Sequence, residues 1–309
     1  DDFLFVGASH SNECAKSLQS FRVVCDRFGV PIAEEKTEGP TTNLTFLGLA
    51  IDTVAQQIHI PPDKLAALLS QLESALRQRK LTLRELQSLL GRFNFVCKAV
   101  LPGRAFLRRL QDLTKGVTQA HHRVRITTGA RADLQAWQQF LTHFNGTIIF
   151  PESVWYNSDQ LHMYTDASAE IGFGAFFAGS WCNGVWPPHV RAQSPSIACL
   201  ELFPIVLALH IWAEKLRNKR VLLWCDNQAV VSIINKQTSK CPLIMRLVRK
   251  FVVHCLTYNI QFKSKHVPGL DNGIADALSR FQMTRFRHLA PNADPVMTPL
   301  PDSLWSCFS

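Results

Sequence analysis

Four acids in the second half of the chain stand out because of where they lie: Asp166, Glu201, Asp226 and Asp276. Asp166 sits in Tyr164-Thr165-Asp166-Ala167-Ser168, after Asp159-Gln160-Leu161-His162-Met163, which alternates polar and apolar as a half-buried strand does. Glu201 is flanked by Leu200 and Leu202, where a free charge is costly unless paired or metal-bound. Asp226 ends the apolar run Val221 to Trp224, and Asp276 lies in Gly273-Ile274-Ala275-Asp276-Ala277-Leu278. A carboxylate at the carboxyl end of a central strand points into the crevice where open sheets bind ligands. Taken singly, each acid is more often a cap or a surface group. Four that converge repel one another, and hard divalent cations, Mg²⁺ with Mn²⁺ as substitute, resolve that repulsion. Two such ions about 3.5–4 Å apart suit in-line displacement at a phosphodiester.

The elements that must position these acids read as βββαβαβα over residues 151–280, a mixed sheet flanked by helices. A second alternating run, Ile171 to Phe177 with Gly172 and Gly174, makes a hairpin with the Asp166 strand. Ser194-Pro195-Ser196 opens a long apolar helix to about Leu216, with Pro204 expected to bend it. Val221–Trp224 reads as a strand buried on both faces. A short helix, a basic helix from Pro242 to Leu256 and a strand over Ile260–Ser264 follow.

Residues 1–60 read as a strand at Phe3–Gly7, a helix from Asn12 to about Phe28, and strands at Leu44–Ala50 and Gln57–Ile60. Asp1-Asp2 heads the first strand. Residues 61–150 are helical, with a Thr82–Glu85 capping box, and 146–156 form a connector. By charge, 1–60 carry four positive and eight negative residues, whereas 61–150 carry fourteen against five. That concentration suits a surface facing a polyanion, with Arg92, Lys98, Arg104, Arg108 and Arg109 placed to touch a phosphate backbone. A solvated helix surface explains any one of them equally well.

With 47% hydrophobic and 18% charged residues the composition is globular, and 309 residues allow two or three domains. Nine cysteines without a Cys-x-x-Cys pair suit reduced thiols in an intracellular protein, cytoplasmic or nuclear and not secreted. No run of 18 apolar residues marks a membrane span.

Residues 160–280 resemble the type 1 ribonuclease H domains of retroelement polymerases. The likeness is carried by Tyr164-Thr165-Asp166-Ala167-Ser168, Glu201-Leu202, Asp226-Asn227-Gln228, His266-Val267-Pro268-Gly269, Asn272 and Ala275-Asp276-Ala277-Leu278-Ser279-Arg280. It implies a ribonuclease H-like five-stranded mixed sheet in which the four acids hold two Mg²⁺ ions. It also implies that His266, on a mobile loop, assists water deprotonation or product release. Gln228, with Asn227 and Asn272, would touch an RNA–DNA hybrid. Ile197 and Ala198 stand where the family often has polar contacts. Asp1-Asp2-Phe3 resembles the tail of a reverse-transcriptase palm motif, and Phe46-Leu47-Gly48 the primer-grip strand. Residues 61–150 resemble thumb and connection helices, and 281–309 are read as a tail or linker. Leu89-Leu90-Gly91-Arg92-Phe93-Asn94-Phe95 and Pro102-Gly103-Arg104 are most similar to tyrosine-recombinase (DIRS-like) retrotransposons.

The resemblance implies a hydrolase that cuts the RNA strand of hybrids, with DNA polymerisation reserved for a longer parent chain that has the fingers and full palm. A decayed or co-opted fragment that only binds nucleic acid is the main alternative. A DNA-cutting transposase ranks last, because that class has no counterpart of Glu201.

Overall fold

The computed structural model describes residues 2–143, 148–150, 152–267, 272–301, 305 and 308. The amino-terminal part contains α1 (Glu13–Arg27) and the strands β1 (Asn43–Phe46), β2 (Leu49–Asp52) and β3 (Gln57–His59). Phe3–Gly7 is not a strand. No described strand pairs with it, and Phe3 and Phe5 instead pack on Phe21 of α1, ring centroids 4.5 and 5.3 Å apart. The strand expected over 44–50 is broken by a turn at Leu47-Gly48, both with positive φ (46° and 80°). Phe46-Leu47-Gly48 is therefore a strand end and its turn, not a continuous gripping strand. Asp1 lies outside the described residues, and Asp2 is exposed in an irregular segment.

The helical part comprises α2 (Pro62–Arg77), α3 (Leu83–Val96), α4 (Arg108–Asp112) and α5 (Thr128–His143), with a small ladder of β4 (Lys80–Thr82) and β5 (Arg123–Arg125). Thr82 and Glu85 form the capping box that starts α3. Phe93 stacks on Trp137 at 4.5 Å in the core between α3 and α5. The connector is not structureless, because β6 (Ile148–Ile149) pairs with β3, and β7 (Trp155–Asn157) joins the sheet below.

The sheet strands are β8 (Met163–Ala167), β9 (Gly172–Phe177), β10 (Ser180–Val185), β11 (Arg220–Cys225) and β12 (Gln261–His266). Around them lie α6 (Ser158–Leu161), α7 (Pro188–Arg191), α8 (Ile197–Trp212), α9 (Gln228–Lys236), α10 (Pro242–Thr257), α11 (Gly273–Ser279) and α12 (Met283–Leu289). The fold is mixed α/β, strands flanked by helices. Its backbone ladders run β10-β9-β8, antiparallel, and β12-β11-β7, parallel. All five expected strands form, and β7 is a sixth that pairs with the start of β11.

Residues 158–161 are helical where alternation predicts strand. Asn157 and Gln160 make a reciprocal capping box, and His162 (φ 46°) ends the turn, so β8 starts only at Met163. The chain at β11 is buried on one face, not two: Val221, Leu223 and Cys225 are buried and the residues between them half-exposed. Helix α8 is apolar all round because it is the central core helix; it runs unbroken through Pro204. By length and composition alone Ile197–Leu216 would cross a membrane, yet most of it is buried within the protein.

Residues 281–301 are not a loose tail. Helix α12 inserts Phe286 beside Trp181, and Thr298 N–H donates to the Trp181 carbonyl. Trp305 stacks on Phe203 of α8 at 5.3 Å. A buried network ties the helical part to the sheet part: Asp133 of α5, 1% exposed, accepts from Arg109 and from Arg249 of α10 at 3.2 and 3.1 Å.

Candidate metal centre

Each of the four acids comes from a different element. Asp166 is the fourth residue of β8, Glu201 lies in the second turn of α8, Asp226 follows β11, and Asp276 lies on α11. Helix α11 reaches the others because β9 is glycine where it crosses. Gly174, the register partner of Asp166, has Leu278, Ser279 and Ala275 where a Cβ would point. From the other side Asn183 of β10 donates to the Leu278 carbonyl at 3.2 Å.

The acids are brought together. Ligating atoms of Glu201, Cys225 and Asp226 all lie within 4.8 Å of one another. Burial raises the Asp166 carboxyl above the usual range, opposed by a bond from Ser279, and the charges of Asp276 and Asp226 raise it further. Ser279 is fully buried, and its hydroxyl donates to Asp166 Oδ2 at 2.5 Å. Glu201 is pushed up to about 7 by burial and by Asp226, against a hydrogen bond from Asn227. Burial would raise Asp276 too, but Arg280 and Arg285 outweigh it, each 2.6 Å from one carboxylate oxygen, so Asp276 is held low.

Crowded carboxylates, one of them costly to ionise near neutral pH, are a donor set whose hard oxygens would suit Mg²⁺ or Mn²⁺. Cys225, which its apolar run marks as a reduced, buried thiol, is free and buried beside the acids. Burial pushes its thiol up to about 12, so it is neutral and a poor ligand for such hard ions.

The other expected residues are placed differently. His266 is the last residue of β12, beside Cys225 in the parallel register, not on a loop. Its Nε2 lies 3.0 Å from the Asp226 carbonyl oxygen. Pro268 and Gly269 lie outside the described residues. Asn227 is committed within the protein: its Oδ1 caps α9 at the Ala229 and Val230 N–H groups, and it bonds Glu201. Asn272 donates to the Thr165 carbonyl at 2.8 Å, so it holds the Asp166 strand; its Oδ1 is buried without a partner among the described residues. Gln228 is exposed next to Asp226, Ile197 is exposed and Ala198 buried.

On the basic helices, Arg92 is exposed and bonds the Ala67 carbonyl. Arg104 is exposed, Arg108 pairs with Asp112 on its own helix, and Arg109 is consumed by Asp133. Sequence reasoning missed Ser279, Arg280 and Arg285 as partners of the acids. The first two stood inside a quoted motif, but only the packing of α11 on β8 and β9 gives them their contacts.

The Glu201 shift has a thermodynamic consequence. Its folded value, about 7, exceeds the ordinary 4.5, so its contribution to stability is present below pH 4.5 and lost as pH rises through 7. Glu201→Gln removes that loss. In chelator the variant melts higher than wild type at pH 8 and gains nothing at pH 4, read by thermal denaturation at both pH values. A variant that melts lower at pH 8 would contradict the shift.

No protein-family model and no curated protein sequence matches the chain. Among solved structures, the chain is similar to the foamy viral protease-reverse transcriptase dRH in complex with double-stranded DNA, at 16% identity and a TM-score of 0.37 over 82% of this chain and 43% of that one. A second is the foamy viral protease-reverse transcriptase in complex with double-stranded DNA, at 15% identity and a TM-score of 0.32 over 82% of this chain and 52% of that one. The chain thus spans about half the length of each of these two structures.

Proposed function

We propose that this chain hydrolyses the RNA strand of RNA–DNA hybrids with two divalent cations, Mg²⁺ or Mn²⁺, as part of a retroelement reverse transcriptase. The observation that carries the reading is the convergence of four acids from four separate elements: ligating atoms of Glu201 and Asp226 lie within 4.8 Å of each other, and the charge of Asp166 interacts with Asp226, Asp276 and Glu201. Asp166, Glu201, Asp226 and Asp276 would hold the cations. Bound there, the ions would supply an activated water and stabilise the departing oxygen. Asp166 is central because it senses both Asp226 and Asp276. Ser279 and Asn227 orient Asp166 and Glu201. His266, whose Nε2 meets the Asp226 carbonyl, would carry a proton to or from the reacting oxygens. Gln228 is exposed where it can meet a 2′-hydroxyl in a shallow minor groove, which distinguishes an RNA strand from DNA.

A second reading, nucleic-acid binding without cleavage, is favoured by one observation. Both Asp276 oxygens are taken by Arg280 and Arg285. One experiment separates the two. Labelled hybrid, duplex DNA and duplex RNA are incubated with the protein in Mg²⁺ or chelator. Cutting is expected only in the RNA strand of the hybrid, only with the cation, and not with Asp226→Asn. Equal cutting of duplex DNA, or cutting that survives Asp226→Asn, would sink the proposal. Tight, salt-sensitive hybrid binding with no cleavage even in Mn²⁺ would establish the second reading.

A further inference from the structure

The β12-β11-β7 ladder has two unlike faces. Val221, Leu223 and Cys225 point to the core, where Phe251 of α10 meets Phe262, ring centroids 5.1 Å apart. The alternate positions point the other way. In register these are Trp155 with Arg220 and Gln261, Leu222 with Lys263, and Trp224 with Lys265. Lys263 and Lys265 are exposed, and Trp155, Arg220 and Trp224 are half-buried. No acid occupies an outward position on these three strands. Lys263 Nζ lies 4.7 Å from the Trp155 ring centroid, and the Arg220 guanidinium 5.9 Å from it. A half-exposed indole flanked by cations is at odds with a merely solvated surface, which needs no aromatic side chain.

We propose that this sheet face is a binding platform for single-stranded nucleic acid. Aromatic rings on an open sheet stack bases without regard to sequence, and neighbouring cations take the phosphates. Charge complementarity selects a polyanion over an apolar partner. Position supplies the second argument. Trp224 lies two residues before Asp226, and Lys265 immediately precedes His266, whose Nε2 meets the Asp226 carbonyl. The face thus runs about 17 Å from the start of β11 to the carboxylate crevice, at roughly 3.3 Å per strand residue. A single strand lying there would be continuous with nucleic acid at the crevice. The platform does not depend on the crevice cutting anything, so its test is separate.

The test is fluorescence anisotropy of the full chain with labelled twelve-nucleotide oligo-dT and oligo-U, in chelator so that no cleavage intervenes. Wild type is expected to bind both. Trp155→Ala should weaken binding about tenfold, within the range of one base stacked on one aromatic ring. Trp155→Phe, which keeps a ring, should restore most of it. Lys263→Glu with Lys265→Glu should weaken binding further and flatten its salt dependence. These two lysines are exposed, so their double variant decides the matter even if Trp155→Ala fails to fold. Absence of single-strand binding by wild type, or unchanged binding in the double variant, overturns the proposal. So does a folded Trp155→Ala that binds as wild type does.

Discussion

Asp166→Asn is expected to lower the rate of hybrid hydrolysis about a thousandfold or more, roughly 4 kcal/mol of barrier. Of the four acids, Asp166 is the one whose charge interacts with all three others, Asp276, Asp226 and Glu201, so it is the one to share both proposed cations. Asparagine keeps the shape and can still accept the Ser279 hydroxyl, so the protein should fold. Removing a buried charge that Asp226 and Asp276 repel should also leave the metal-free protein no less stable than wild type. The pairing of lost activity with retained or raised melting temperature is what distinguishes a cation ligand from a structural aspartate. Single-turnover cleavage and thermal denaturation of the same preparation check it. A variant that cuts within tenfold of wild type would remove Asp166 from the chemistry.

Gly174→Ala, one methyl group on the residue opposite Asp166 in the strand register, is expected to lower activity about a hundredfold. A Cβ at this position would lie 2.4 Å from Leu278 Cβ, 2.8 Å from the Ser279 nitrogen and 3.0 Å from the Ala275 oxygen. Two of these are backbone atoms that cannot swing aside, and Asn183 fixes the end of α11 from β10. Helix α11 must move, at a stability cost of about 1–3 kcal/mol for overpacking. It carries both Asp276 and Ser279, the partner of Asp166. A displacement of about 1 Å at a catalytic group is enough for a hundredfold loss. Melting temperature and hybrid cleavage are the two readouts. Wild-type activity in a protein of unchanged stability would mean that the close fit of α11 on β9 does not set the site.

Much of this arrangement was legible in the sequence because it rests on periodicity and on short motifs. Alternation found β9, the apolar run found β11, and four acids were singled out by the element each would occupy. The structure sets Glu201 and Asp226 within 4.8 Å of each other and Asp166 near enough to Asp226, Asp276 and Glu201 for their charges to interact. Alternation failed at Asp159–Met163, where a reciprocal cap between Asn157 and Gln160 closes one helical turn before the strand can start. The apolar run Val221–Trp224 concealed that only alternate residues are buried, since Leu222 and Trp224 are apolar yet face outward. Contacts made between separate elements left no trace: Ser279 with Asp166, Arg285 with Asp276, and Trp305 with Phe203. Each depends on how two finished elements pack. The same holds for Asn227 and Asn272, which the motifs assign to substrate and the structure uses to hold Glu201 and β8.

Arg280 and Arg285 also pose the sharpest question for the carboxylate cluster, because each holds one Asp276 oxygen and competes with a cation for it. A crystal of the protein grown with Mn²⁺ and measured for anomalous scattering answers it directly. The expected result is anomalous density bounded by Asp166, Glu201, Asp226 and Asp276, with at least one arginine released from Asp276. Density elsewhere only, with both arginines still on Asp276, would contradict the assignment of this crevice as a metal centre.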